Sequence, residues 1–213
     1  MPSIGNLPNI IYTLTAYVLC DSAPPKSVEP DLGYLFGQTI SNQKSVLDTG
    51  FLLWKTKKIK IGILKLKETP NFASFETWRR ELCSRGVRKG DIIAINFSEN
   101  SVNTLIEAQA LVRFAKDHRI GSIYITAAPF HQLRAFMTTI SVAKKEFPKL
   151  RVYNAVGSRL NWSEYGIHSG GMLKGRRYEF LESEWERIRR YHKKGDLISL
   201  AEAVAYLKKR DGN

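Results

Sequence analysis

The segment "PFHQLRA", residues 129–135, sets an imidazole and a guanidinium three residues apart, just after a short apolar run, "SIYIT". On a helix that spacing puts His131 and Arg134 on one face. An imidazole ionises near neutral pH and can act as a hydrogen-bond donor or a general acid/base. A guanidinium offers a planar fork to phosphate or carboxylate. A lone histidine beside an apolar face is more often a packed residue, so a second segment has to point to the same place.

"NFSENSVNTLIEA", residues 96–108, is that segment. Ser101, Asn103 and Thr104 fall where a strand gives way to a helix. Short hydroxyl and amide side chains there cap the helix, and its free N–H groups can bind an anion. For Ser101 alone, capping is a sufficient account. A third contribution comes from "IKIGILKLK", where the apolar phase slips between Ile63 and Leu64 and leaves Lys65 and Lys67 on one side of a strand's carboxyl end. Lysines often blunt an edge strand. If the strand is internal, both ammonium groups face the same crevice and suit phosphate.

The elements that must position these groups follow from the pattern of apolar runs. "LGYLFG", "KIKIGILKLK", "DIIAINF", "SIYIT" and "LRVYNAV" read as buried strands. Between them lie helical segments of about fifteen residues: "SNQKSVLDTGFLLWK" capped by Ser41 or Asn42, "FASFETWRRELCSRG" ended by Gly86, "VNTLIEAQALVRFAKDH" and "QLRAFMTTISVAKKEF". This alternation predicts a doubly wound α/β fold: a mainly parallel sheet of about five strands with helices on both faces. An N-terminal helix over 8–20 and C-terminal helices within 175–210 complete one domain, 1–213, whose core spans 31–157. In such sheets ligands lie outside the carboxyl ends of the strands, which is where His131, Arg134, Asn103 and Thr104 fall. "HSGGMLKG", 168–175, reads as a flexible turn, and Trp162 and Tyr165 lie in the loop after the last strand.

The 213 residues suffice for one domain with a real core, and 43% hydrophobic with 25% charged residues is an ordinary globular balance. "IIYTLTAYVLC" at 10–20 is too short to span a bilayer and lacks a basic lead-in and cleavage site, so a cytoplasmic protein with no transmembrane segment is expected. Two distant cysteines, Cys20 and Cys83, and no His at ligand spacing suggest neither disulfide nor metal site. The net charge is +13; residues 174–213 carry +4 of it, so the excess is spread over the chain and favours anionic partners generally. Nucleic acid is among them, but no zinc-finger spacing, RNP motif or heptad-backed basic helix supports it.

The ordered motifs "PDLGYLFG", "SFETWRREL.SRGV..GDI", "NSVNTLIEA" and "PFHQLRA" resemble the bacterial YdcF, ElyC and SanA family, a Rossmann-like domain. The resemblance runs from about Asp31 to Gly157; the N-terminal helix with its proline linker and "SEWERIRRYHKKGDLISLAEAVAYLKKRD" also look like YdcF-like members. It implies ligand-binding roles for Gly37 in the first strand, Glu76 in the second helix, the helix-start Ser101, Asn103 and Thr104, and the His131/Arg134 pair. Two departures stand out: "ILKLK" replaces a Ser-Gly-Gly at the end of strand two, and Ile106 stands where an acidic residue follows Asn-Thr, removing backbone access and one carboxylate. The expected function is binding of a small anionic, nucleotide-like ligand, with a cofactor such as S-adenosylmethionine as one candidate. One alternative is a hydrolase or group transferase acting on a phosphorylated substrate with His131 as acid/base; the other is a basic module that binds nucleic acid or a protein partner. No nucleophile elbow, GxxxxGK[ST] loop or HExxH supports an enzyme directly.

Overall fold

The structure, a computed structural model, describes residues 7–21, 29–98 and 102–212. In chain order the elements are α1 (Leu7–Leu19), β1 (Leu32–Leu35), α2 (Gln43–Lys57), β2 (Lys60–Leu64), α3 (Phe75–Ser84), β3 (Ile92–Ile95) and α4 (Thr104–Asp117). There follow β4 (Ser122–Thr126), α5 (Gln132–Glu146), β5 (Arg151–Asn154), β6 (Tyr165–His168), β7 (Leu173–Arg176), α6 (Phe180–Lys193) and α7 (Leu200–Asp211). β1 to β5 form one parallel sheet in the order β3-β2-β1-β4-β5.

Both faces of the sheet are covered, which explains why its strands read as unbroken apolar runs. On one face Leu35, Ile61, Ile63 and Ile92 pack against Val46, Leu47 and Leu53 of α2 and Phe75, Trp78 and Leu82 of α3. On the other, Leu32, Tyr34, Ile123, Ile125 and Val152 meet α4 and α5, with residues of α1, α6 and α7 in the same cluster. Ile63 and Leu64 belong to opposite clusters, so the expected slip of phase in β2 does not occur: the strand alternates normally and both sides are apolar because both are buried. β2 is internal, paired with β1 and β3, so edge protection does not account for Lys65 and Lys67. Gly50 lets α2 approach β1 closely, because a Cβ there would lie 2.7 Å from Leu35 Cδ1.

The "HSGGMLKG" segment is not a free turn. It closes an antiparallel hairpin, β6–β7, in which Tyr165 pairs with Arg176 and His168 with Leu173. Ser169, Gly170 and Gly171 all have positive φ (56°, 68° and 98°), which lets the chain reverse within a few residues. The hairpin lies across the loop entering α2: Ile167 O accepts from Asn42 Nδ2 at 2.8 Å, and Ile167 N donates to Ser41 Oγ at 3.0 Å. Arg177, just beyond β7, donates from Nε to Asn42 Oδ1 at 2.9 Å and from Nη2 to Ser41 O at 2.8 Å. Asn42 therefore holds the hairpin and makes no side-chain cap on α2, contrary to expectation.

Asp21, just after α1, and Arg210 of α7 both fasten to β5. Arg210 Nη1 donates to Asp21 Oδ2 and to Val152 O, each at 2.9 Å, and Asp21 Oδ2 also accepts from Asn154 N at 2.6 Å. Asn154 Oδ1 accepts from Gln132 Nε2 at 2.9 Å, and Gln132 Oε1 accepts from Ala127 N at 2.7 Å. A continuous polar chain thus runs from α7 to the first turn of α5.

Candidate functional site

The strand order reverses between β1 and β4, because the chain winds outward from β1 to β3 and then crosses back. That reversal opens a crevice at the carboxyl edge of a parallel sheet. β3 and β4 are not neighbours, yet their exit loops meet, because α4 crosses back over the sheet and lies alongside α5. Asn103 starts α4, its Oδ1 accepting from Leu105 N at 2.9 Å and Ile106 N at 3.1 Å. Thr104 follows, within reach of the first turn of α5.

His131 is buried and both ring nitrogens are engaged. Gln38 Nε2 lies 3.1 Å from His131 Nδ1 and 3.4 Å from Phe36 O. A carbonyl oxygen can only accept, so the Gln38 nitrogen faces both atoms and Nδ1 is an acceptor. The proton then sits on Nε2, which donates to Thr104 Oγ1 at 3.3 Å. Burial, aided by the Arg134 charge, lowers the His131 pKa well below the ordinary imidazole value and keeps the ring neutral. Thr104 Oγ1 also accepts from Arg134 Nη1 at 2.6 Å, so its own proton must be donated elsewhere.

The Arg134 fork, expected to meet a ligand, is closed on Glu184 of α6. Nε donates to Oε2 at 2.6 Å and Nη2 to Oε1 at 3.0 Å, with both side chains buried. Glu184 Oε1 accepts as well from His168 Nε2 at 2.6 Å. Burial would raise the Glu184 pKa, but the Arg134 charge and the His168 hydrogen bond hold it far below the usual carboxylate range. Neither Glu184 nor His168 was singled out by sequence, though Glu184 sits four residues from both Phe180 and Ile188 on the inward stripe of α6.

A second missed carboxylate is Glu107. Its Oε1 accepts from Gly37 N at 2.7 Å and from Tyr34 Oη at 2.8 Å. Glu107 directly follows Ile106 and lines the crevice. Burial raises the Glu107 pKa to about 7, against the lowering effects of the Gly37 and Tyr34 hydrogen bonds and the Arg134 charge. Gly37 contributes its backbone N–H; a Cβ there would meet only ordinary contacts.

The crevice has a volume of about 1110 Å³. Lys65 and Lys67 line it from the β2 exit, Arg187 and Arg190 from α6, Lys194 from just beyond α6, and Asn103, Thr104, His131 and His168 from its floor and sides. Glu107 and Asp196 are the acidic residues on its lining, and Leu66, Phe72, Phe97, Leu105 and Tyr191 supply apolar wall. No family model and no curated protein matches the chain. Glu76 stands apart from the crevice: it is exposed on α3 and ion-paired with Arg79. Ser101 lies outside the described residues. Among the described residues no cluster of His, Cys, Asp and Glu could hold a metal ion, and no helix is long and apolar enough to cross a membrane.

Proposed function

We propose that the crevice binds a small anionic, nucleotide-like ligand, phosphate against its cations and base or nucleoside against its apolar wall. The observation that carries this reading is the convergence of Lys65 and Lys67 with Arg187, Arg190 and Lys194 on one crevice at the sheet's switch point. Six basic residues line the crevice against two carboxylates, and the five besides Arg134, which is closed on Glu184, favour an anion; the crevice has room for a nucleotide. Arg134 is not the anion's partner in this reading; it fixes Thr104, whose free proton serves as a donor, and Arg187 takes the role of the guanidinium. The resemblance to the YdcF, ElyC and SanA family points the same way, since Gly37, Asn103, Thr104 and His131 all border this crevice. S-adenosylmethionine is a candidate of the same shape class and belongs in the test.

Thermal unfolding in the presence of AMP, ADP, inorganic phosphate and S-adenosylmethionine tests the reading. At least one raises the wild-type melting temperature, and Lys65→Ala combined with Arg187→Ala removes the shift while leaving the ligand-free melting temperature within a few degrees. No response to any of the four, or a full response in the double variant, rules the reading out.

A second reading has a different observation behind it. The hairpin and its flanks carry Trp162, Tyr165 and Tyr178 exposed, with Lys174 and Arg176 exposed on β7, a combination that stacks bases and neutralises phosphates of single-stranded nucleic acid. Binding of single-stranded RNA or DNA would weaken steeply with salt. Trp162→Ala with Tyr165→Ala would lose it, and salt-insensitive or absent binding excludes this reading.

A further inference from the structure

We propose that His168, held by Glu184, is the crevice's proton-transfer residue: its Nδ1 takes the proton of a water that attacks phosphorus in a bound phosphate ester. The proposal rests on the reading of the crevice as a phosphate-binding site and adds a reaction to it. The two imidazoles of the site lie 5.8 Å apart between ring centroids and differ in what remains free. His131 has no nitrogen to spare, with Nδ1 bonded to Gln38 and Nε2 to Thr104. His168 has one. Its Nε2 faces Glu184 Oε1 at 2.6 Å, and Glu184 is gripped at both oxygens by Arg134, so the carboxylate is ionised and can only accept. The proton therefore lies on Nε2 and the lone pair on Nδ1, which makes no hydrogen bond to any described residue while His168 lines the crevice.

A carboxylate that fixes an imidazole through one nitrogen and leaves the other bare is the arrangement of a general base. The groups facing His168 are Glu184 and Arg187 from α6 and His131 and Arg134 from α5, with Phe130 and Phe180 edge-on or tilted against the ring. Burial outweighs the Glu184 hydrogen bond and charge and, with smaller help from the Arg134 and Arg187 charges, lowers the His168 pKa below the ordinary value, so the ring is neutral and ready to accept at neutral pH. In the step proposed, water forms a bond to phosphorus as its proton passes to Nδ1. The ester P–O bond breaks, and the departing oxygen leaves as an alcohol with the proton returned from Nδ1. Water is the only co-reactant. The alcohol and inorganic phosphate are the products, and Lys65, Lys67 and Arg187 hold the phosphate through the step.

Two measurements test this. Diethyl pyrocarbonate acylates an unprotonated, accessible imidazole nitrogen; peptide mapping at neutral pH should find His168 modified at least roughly tenfold faster than His131, because only His168 keeps a free lone pair. This comparison needs no ligand, so it stands apart from the binding reading, and faster modification of His131 overturns the assignment. Added inorganic phosphate should slow modification of His168 and leave that of surface His118 unchanged. In the second measurement the full chain hydrolyses p-nitrophenyl phosphate or AMP, and His168→Gln, which keeps an N–H toward Glu184 but has no basic nitrogen, loses roughly 100-fold or more of that rate. The variant keeps its melting temperature and its stabilisation by inorganic phosphate. The wild-type kcat/KM rises with pH along a limb centred below the free imidazole value of about 6.5 and then levels. No hydrolysis above buffer, or a wild-type rate in His168→Gln, overturns the proposal, whereas absence of stabilisation of the wild type by all four ligands overturns the binding reading instead.

Discussion

Glu107 and Glu184 are two buried carboxylates driven in opposite directions by what surrounds them. Glu107 has hydrogen-bond donors but no ion pair among the described residues, and its folded-state pKa rises from 4.5 to about 7. The folded protein therefore holds a proton that the unfolded chain releases. The resulting stability is fully present below about pH 4.5 and is lost as pH rises through about 7. Glu107→Gln keeps an acceptor for Gly37 and Tyr34 and removes the titration. Between pH 4 and 8 the wild type should lose roughly 3 kcal/mol relative to this variant, as read by urea unfolding at the two pH values. Glu184 is the reverse case, since Arg134 and His168 hold it ionised. Arg134→Ala would leave that buried charge without its bidentate partner, with only His168 and the more distant Arg187 beside it, at a cost of about 3 kcal/mol in the same unfolding measurement. Loss of ligand response in that variant would report loss of the fold as much as loss of a contact. Both carboxylates were legible as polar interruptions of an apolar stripe, Glu107 four residues before Leu111 and Glu184 four after Phe180. What the stripe does not tell is the partner: Gly37 is 70 positions from Glu107, and Arg134 is 50 from Glu184.

At the scale of elements, the five parallel strands and the helices between them were legible because each strand is buried on both faces and the helices, α5 apart, on one; α5 is buried all round from Arg134 to Ala143. The hairpin was not legible. β6 and β7 are four residues each and mix glycine and polar residues with apolar ones, so they carry no apolar run, and their residues are set by contacts with Ser41 and Asn42 more than 120 positions earlier. The signal available was the alternating "YGIH" and "LKGR" around a Gly-Gly turn. Asn42 is fully buried and joins α2 to the hairpin through Ile167 and Arg177. Asn42→Ala would leave those groups unpaired and should cost about 1–3 kcal/mol. It should also expose the hairpin first: limited proteolysis between 161 and 176 should precede cleavage of the sheet, whereas cleavage elsewhere would mean that the hairpin is anchored by other means.

Across the whole molecule, the positive charge has no single seat, since +9 lies outside the last forty residues. A surface of that kind draws anions from every direction, and what turns attraction into selectivity is local: cations from β2 and α6 that come from opposite ends of the sequence and meet over one crevice. The sequence alone shows Lys65 and Lys67 at a strand exit, but nothing in it ties them to Arg187, Arg190 and Lys194. Only the fold, which lays α6 over α5, brings them to a shared opening.

The polar chain from Arg210 through Asp21 and Asn154 to Gln132 ends one residue from His131. The position of the imidazole is therefore not decided in its own neighbourhood alone. A helix at the far end of the polypeptide acts as its remote anchor, so wear at the terminus would be felt as misalignment at the centre.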